Sequence, residues 1–361
     1  MALNTKSKNI TKMVVAGALS ATVFSSAAFD DATALLAKQL KTIEPPTPIK
    51  RVNPDYPKEA AIEGRTGWAR FSFIVEPDGS VSNILKLDSS GSEDFERASI
   101  KAIKRWKYEP ATVDGKPIQR CFNTVQMDFA MKGDGNSEYA VRRRFSTKYN
   151  NAQQALKENN LDEAKELIDE LSSIKNRFIA ENNFLQTVKS AYFKAKGDKI
   201  RQLESLSNIS FAHESKKSEP HEFAVLHQQF VLAVELNRLK QAFDVYEQLV
   251  ELPSAKDYLS AYKETLDKVT AFVASENNIA VNSIIDEQPF WSHTLVRNNF
   301  TFANIEGALS KLEVRCNNKF HVFNINEQSS WQVPESWQGC SLVVYGEKDT
   351  RFTLVELAKS A

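Results

Sequence analysis

Five histidines, His213, His221, His227, His293 and His321, are the first residues in this chain that could ligate a metal or move a proton. Three of them, His213, His221 and His227, lie close together with Glu222. A zinc site needs its imidazoles to converge, and a helix does this by tight i, i+4 spacing. That spacing is missing here, so ordinary surface histidines are expected. The paired carboxylates Asp30-Asp31 and Glu93-Asp94 sit at candidate helix starts. There a negative charge stabilises the exposed N–H groups of the first turn without any catalysis. The chain contains no phosphate-binding loop, dinucleotide fingerprint, nucleophile elbow or HExxH motif. No catalytic residue, metal or cofactor is expected. The residues describe a protein that binds rather than one that catalyses.

The three cysteines, Cys121, Cys316 and Cys340, suit an oxidising compartment with one pair and one thiol left over. Cys316 ends the alternating run Leu312–Cys316, and Cys340 opens Cys340–Val344. Each shares a strand face with apolar neighbours, which makes Cys316–Cys340 the disulfide candidate. Pairing with Cys121, or three buried thiols, stays open on sequence alone.

Positioning these residues takes several domains, for which 361 residues are enough. Lys+Arg and Asp+Glu are equal at 46 each, so no general attraction to nucleic acid or anionic membrane is expected. The run Arg142-Arg143-Arg144 is too short for a binding patch and reads as a solvated helix start. Lys6, Lys8 and Lys12, the apolar run Met13–Phe24 and the small residues Ser26-Ala27-Ala28 follow the order of a secretory leader, residues 1–28. An uncleaved membrane anchor is the other reading of this segment. Residues 29–50 are expected as a short helix followed by the extended linker Pro45–Pro48.

Residues 51–132 read as an α+β domain. Ala69, Phe71, Phe73 and Val75 share one strand face, and Pro77-Asp78-Gly79 makes a turn into a second strand, Val81–Leu87. A helix carries the apolar stripe Phe95, Ala98, Ala102, Ile103 and Trp106, with Pro110 expected to stop it. A third strand, Ile118–Met131, alternates Cys121, Asn123, Val125, Met127 and Phe129 with Arg120, Phe122, Thr124, Gln126 and Asp128. One helix on a small antiparallel sheet is the economical fold.

Residues 140–280 read as an all-α helical-hairpin array, with turns at Asn160, Gly197 and Asn237. Their spacing is close to, but longer than, the ~34 residues of a tetratricopeptide repeat, and a plain bundle is the alternative. Residues 281–361 return to period 2 and read as a small all-β domain. Its strand candidates are 294–302, 309–316, 320–324, 341–345 and 352–357, with Trp291, Trp331 and Trp337 serving the core.

In the α+β domain, the stretches Pro54–Ala60, Glu63–Gly67, Phe71–Val75, Pro77–Val81, Phe95–Arg97 and Arg105–Ala111 run in the order and spacing of one family. Together they resemble the C-terminal domain of the TonB energy transducers. The resemblance covers less than a quarter of the chain and nothing after Lys132. It implies a structural role for Tyr56, Pro57, Gly67, Gly79, Phe95, Trp106, Tyr108 and Pro110. It also implies capture of an extended segment of an outer-membrane transporter, added as a strand to the sheet edge. The last strand of a three-stranded sheet leaves unpaired N–H and C=O groups, which suits that mode. Gln119, Arg120, Phe122, Thr124, Gln126 and Asp128 are therefore the expected partner-binding residues. Cover of this edge by the helical region or by a second copy is the alternative.

The family implies a periplasmic setting, whether by export or by a retained inner-membrane anchor. It also implies a membrane helix and a long Pro-rich spacer. Here residues 29–50 reach at most ~75 Å when fully extended. Docking without force transmission is thus expected, with a full transducer or a dimerising scaffold as alternatives.

Overall fold

A computed structural model describes residues 43–130, 141–211, 219–325 and 330–358. The leader, the expected helix 29–44 up to residue 42, the linker 132–136 and His213 lie outside the described residues, and the last two residues of that helix, Ile43–Glu44, are a strand.

The α+β domain opens with β1 (Ile43–Glu44), β2 (Thr47–Lys50) and α1 (Lys58–Ile62). β3 (Gly67–Val75), β4 (Val81–Ser89), α2 (Glu93–Ile103), β5 (Lys107–Glu109), β6 (Ala111–Val113), β7 (Lys116–Ile118) and β8 (Arg120–Phe129) follow. Its main sheet has the antiparallel order β4-β3-β8. Period-2 alternation in β3 sends Ala69, Phe71, Phe73 and Val75 into a core with Phe95, Ala102, Ile103 and Trp106.

Two local expectations change. α2 stops at Ile103, six residues short of the stretch before Pro110, and Lys107–Glu109 is a strand. That strand pairs with Thr47–Lys50, so the proline-rich segment is extended, as its φ-locked residues require, and is held against the domain. Pro110 therefore separates β5 from β6 rather than ending a helix. The third strand starts at Arg120, because Lys116–Ile118 forms a hairpin with Ala111–Val113.

The helical region comprises α3 (Arg143–Lys157), α4 (Leu161–Ser173), α5 (Ile179–Lys196), α6 (Lys199–Ser207), α7 (Glu219–Glu235) and α8 (Leu239–Val250). A 3-10 turn, Pro253–Tyr258, leads into α9 (Leu259–Ala274). The expected turns fall where the residue types allow them. Asn160 caps α4 by accepting from the Glu163 N–H at 3.3 Å. Gly197 ends α5 at φ +72°, and Asn237 takes φ +55° between α7 and α8.

The C-terminal strands are β9 (Ile279–Ile284), β10 (Phe290–Thr294), β11 (Asn299–Glu306), β12 (Leu309–Cys316), β13 (Lys319–Asn324), β14 (Ser330–Gln332), β15 (Ser341–Gly346) and β16 (Arg351–Glu356). They form two four-stranded sheets, β14-β11-β16-β9 and β10-β15-β12-β13. Trp291 lies inside their shared core, Trp331 and Trp337 at its border. Cys316 and Cys340 are joined by a disulfide, and Cys121 is a buried free thiol.

The expected strand 294–302 is interrupted at Arg297, and the reason is tertiary. Its guanidinium donates to the carbonyls of Val273 (3.1 Å), Ser275 (2.8 Å) and Asn277 (2.6 Å), closing the C-terminal end of α9. Its backbone N–H and that of Val296 bind the fully buried Glu356 carboxylate at 2.8 and 2.9 Å. Leu239 and Val269 from the helices enter the same apolar core as the sandwich, which fastens the two regions together.

Candidate partner-binding edge

Strand β8 is held on one side only. Its register with β3 runs from Gly67 opposite Phe129 to Phe73 opposite Asn123, then shifts so that Val75 faces Arg120. Cys121 and Phe122 together oppose Ile74, which is a β-bulge. The Asn123 side-chain amide stabilises it by donating to the Arg120 carbonyl at 2.8 Å. The bulge reverses the alternation expected for this strand. Cys121 leaves the α2 side and faces the C-terminal sandwich, with Sγ 3.6 Å from the Lys319 carbonyl. Burial there pushes its thiol pKa up to about 12, so it is a poor nucleophile.

The six expected edge residues divide at the bulge. Gln119 precedes the strand and is occupied twice: its Nε2 donates to Glu76 at 2.8 Å, and its Oε1 accepts from the Phe320 N–H at 3.1 Å. Arg120 and Phe122 belong to the bulge itself. Thr124, Gln126 and Asp128 follow on the regular ladder, opposite Ser72, Arg70 and Trp68. Thr124 and Asp128 are exposed, and Gln126 is half-buried and donates to Asp128 at 3.0 Å. Among the described residues no strand pairs with the outer edge of β8. The sandwich meets its start through Lys319 and Phe320. A free lateral edge of seven residues, Asn123–Phe129, remains.

The eight motif residues hold this edge in place. Tyr56 donates to the Arg65 carbonyl and packs edge-on against Phe95 and Phe129, which themselves stack at 4.3 Å. Pro57 starts α1 with φ −61°. Gly67 lies so close to Ser90 and Phe95 that a Cβ there would sit 2.5 Å from Ser90 Oγ. Gly79, at φ +76°, receives the Tyr108 N–H on its carbonyl at 2.9 Å. Trp106 packs edge-on to Phe73 and donates from Nε1 to the Val52 carbonyl at 2.8 Å. Tyr108 is buried and accepts from Arg51 Nε at 2.9 Å. Pro110 sits at the corner between β5 and β6.

Sequence reasoning missed the residues that fasten this domain to the rest. Arg315 donates to the Asn83 carbonyl at 3.4 Å, and the Arg177 N–H donates to the Ser90 carbonyl at 3.2 Å. Nothing in the local pattern announces contacts with partners up to 232 residues away. Two of the histidines have side-chain partners of their own: His227 Nδ1 meets the Tyr262 hydroxyl at 2.7 Å, and His293 Nε2 meets Glu356 at 2.9 Å. Among the described residues no group of three or more His, Cys, Asp or Glu could hold a metal.

Residues 52–131 match the family described as Gram-negative bacterial TonB protein C-terminal, and they form a TonB C-terminal domain. The helical region that follows has no family assignment. The chain is 38% identical to Protein TonB of Escherichia coli K12 over 72 residues, covering 20% of this chain and 28% of the relative. It is 38% identical to Protein TonB of Klebsiella pneumoniae over 86 residues, covering 23% and 35%. The chain thus spans about a third of the length of these curated relatives. A solution structure of the Pseudomonas aeruginosa TonB C-terminal domain aligns at 29% identity over 24% of this chain and 87% of that one, with a TM-score of 0.22.

Proposed function

We propose that this protein captures an extended segment of an outer-membrane transporter as a new strand beside β8. The capture would take place in the periplasm, in support of transport across the outer membrane. The observation that carries this reading is the free Asn123–Phe129 edge on a domain of the TonB C-terminal family. Such an edge supplies main-chain hydrogen bonds for affinity, and alternate side chains for specificity. Thr124, Gln126 and Asp128 would face the guest strand's side chains, and seven residues offer roughly 23 Å of ladder at ~3.3 Å per residue. The helical array would position a second envelope partner.

The test is titration of the full chain with synthetic peptides from the N-terminal segments of TonB-dependent transporters, followed by calorimetry. Micromolar binding that is lost in Gln126→Pro supports strand addition. Failure of every peptide to bind, or binding that Gln126→Pro leaves intact, overturns it. Mass spectrometry of the N-terminus of the cellular protein tests export with leader removal after Ala28; an intact Met13–Phe24 segment would favour a membrane-held transducer.

A further inference from the structure

The β4-β3-β8 sheet is covered on part of its second face, although Thr124 and Asp128 at the β8 edge stay exposed. Opposite α2 it meets the helices and the sandwich, and the three regions border an open cavity of about 830 Å³. That volume lies within the roughly 300–1,000 Å³ of small-molecule sites, which favour junctions between domains.

Its ionic groups are unevenly matched. Lys189 is paired with Glu287, Arg201 with Asp198, Asp286 and Asp349, Arg315 with Glu313, and Asp244 with Lys240. Three guanidiniums are poorly neutralised. Arg70 stands 3.6 Å from Asp88, and Arg238 stands 3.9 Å from Glu204. Arg177 has no ion pair among the described residues; it donates to the Ser172 and Ile174 carbonyls at 2.9 and 2.7 Å. Burial raises the pKa of both carboxyls, and that of Glu204 reaches about 7, so the negative charge beside Arg238 is incomplete at neutral pH.

A second observation points to the same place. Nine buried side-chain polar atoms lack a hydrogen-bond partner among the described residues, and six belong to side chains lining this cavity: Asp88, Ser172, Arg177, Arg238, Trp291 and Arg315. Unpartnered buried polar groups are costly, and their concentration around one space marks it as incomplete without an occupant. The remaining wall is mixed: the apolar side chains Leu85, Leu87, Phe193 and Trp291 alternate with polar ones such as Gln186 and Gln241.

We propose that this cavity binds a small organic anion, a carboxylate or phosphate on an apolar body, held by the guanidiniums of Arg70, Arg177 and Arg238. The site adjoins β8 at Thr124 but does not rest on the strand-capture reading. Its partly buried walls suit a ligand that neutralises cations and covers aromatic surface together.

Calorimetry on the full chain with phenyl phosphate, benzoate and benzyl alcohol tests this, with tryptophan fluorescence reporting on Trp291. At least one anion should bind, with the neutral alcohol about tenfold weaker or more, as a lost charged hydrogen bond implies. The tighter of the two anions identifies the headgroup. Arg177→Gln should weaken the anion about tenfold or more. Ser292→Trp, an exposed position on the cavity wall, should block binding while leaving the fold intact by circular dichroism, and it decides the matter if Arg177→Gln does not fold. Absence of anion binding to the parent chain, equal binding of benzyl alcohol, or binding unaffected by Ser292→Trp would each overturn the proposal.

Discussion

The side-chain oxygen of Gln119 accepts a hydrogen bond from the backbone N–H of Phe320 at 3.1 Å, across 201 residues of sequence. This contact lies where the TonB-type sheet edge begins, and it joins that edge to the C-terminal sandwich. Gln119→Ala should free the Phe320 amide while leaving the rest of β13 paired to β12. Hydrogen exchange at Phe320 should then quicken about tenfold or more, as loss of roughly 1.4 kcal/mol of local protection requires. Unchanged exchange would mean that the sandwich is held to the edge by other contacts alone.

Gly79 is the residue of the motif with the least freedom to change. A Cβ there would lie 2.0 Å from the Tyr108 carbonyl oxygen, and its φ of +76° disfavours any L side chain. Gly79→Ala should cost about 2–3 kcal/mol, a combination of backbone strain and forced displacement of β5. Urea unfolding monitored by tryptophan fluorescence measures it. A loss under half a kilocalorie would show that β5 moves away freely.

Acid sensitivity should centre on Asp94. Its carboxylate lies 2.6 Å from Arg65, whose guanidinium hydrogen bond is the main reason its pKa falls to about 2. A depressed folded-state pKa gives stability that is present above the ordinary carboxylate value and is lost as pH falls through about 2. Asp94→Asn should therefore cost about 1–2 kcal/mol at pH 7, after allowance for partial exposure, and almost nothing at pH 2. Denaturation at the two pH values separates this from a simple packing defect, which would persist at both.

Glu204 should act in the opposite sense. Burial raises its pKa to about 7, so the folded protein holds a proton that the unfolded chain releases from about pH 4.5 upward. Its contribution to stability is therefore greatest in acid and declines between about pH 4.5 and 7. Glu204→Gln should flatten this part of the stability profile, so that the difference in Tm between variant and parent moves in the variant's favour as pH rises. A constant difference across the range would show that the carboxyl is solvated.

The cysteines should behave as two classes. The Cys316–Cys340 bridge closes a loop of 24 residues' separation, and its reduction should cost about 3 kcal/mol by loop entropy. Cys121, buried and with its pKa near 12, should resist alkylation at pH 8 until the protein is denatured. Mass spectrometry with and without reductant and urea reads both. Rapid native labelling at Cys121 would contradict its burial against Lys319.

Much of the local structure could be read from single stretches of sequence. The alternation of Ala69, Phe71, Phe73 and Val75, the Pro77-Asp78-Gly79 turn and the positive-φ residues Gly197 and Asn237 are short-range signals, because side-chain direction and backbone sterics act over a few residues. The bulge at Cys121–Phe122 was not legible: inserting one residue against Ile74 is decided by what β3 presents opposite, not by the strand's own pattern. Nor was the break at Arg297, which serves carbonyls at the end of α9. Strands β9 and β10 were missed because each is short and is completed by partners far along the chain, β16 and β15.

For the edge itself, sequence determined the element, its residue types and its family, since motif spacing within residues 52–131 is a local property. Only the tertiary structure decided how much of that edge is free. Phe320 and Lys319 cover its start, and helices with the sandwich cover part of the face behind it, around an open charged cavity. Those limits arise from contacts between residues separated by up to 232 positions, and no periodicity in a single chain segment encodes where such distant surfaces meet.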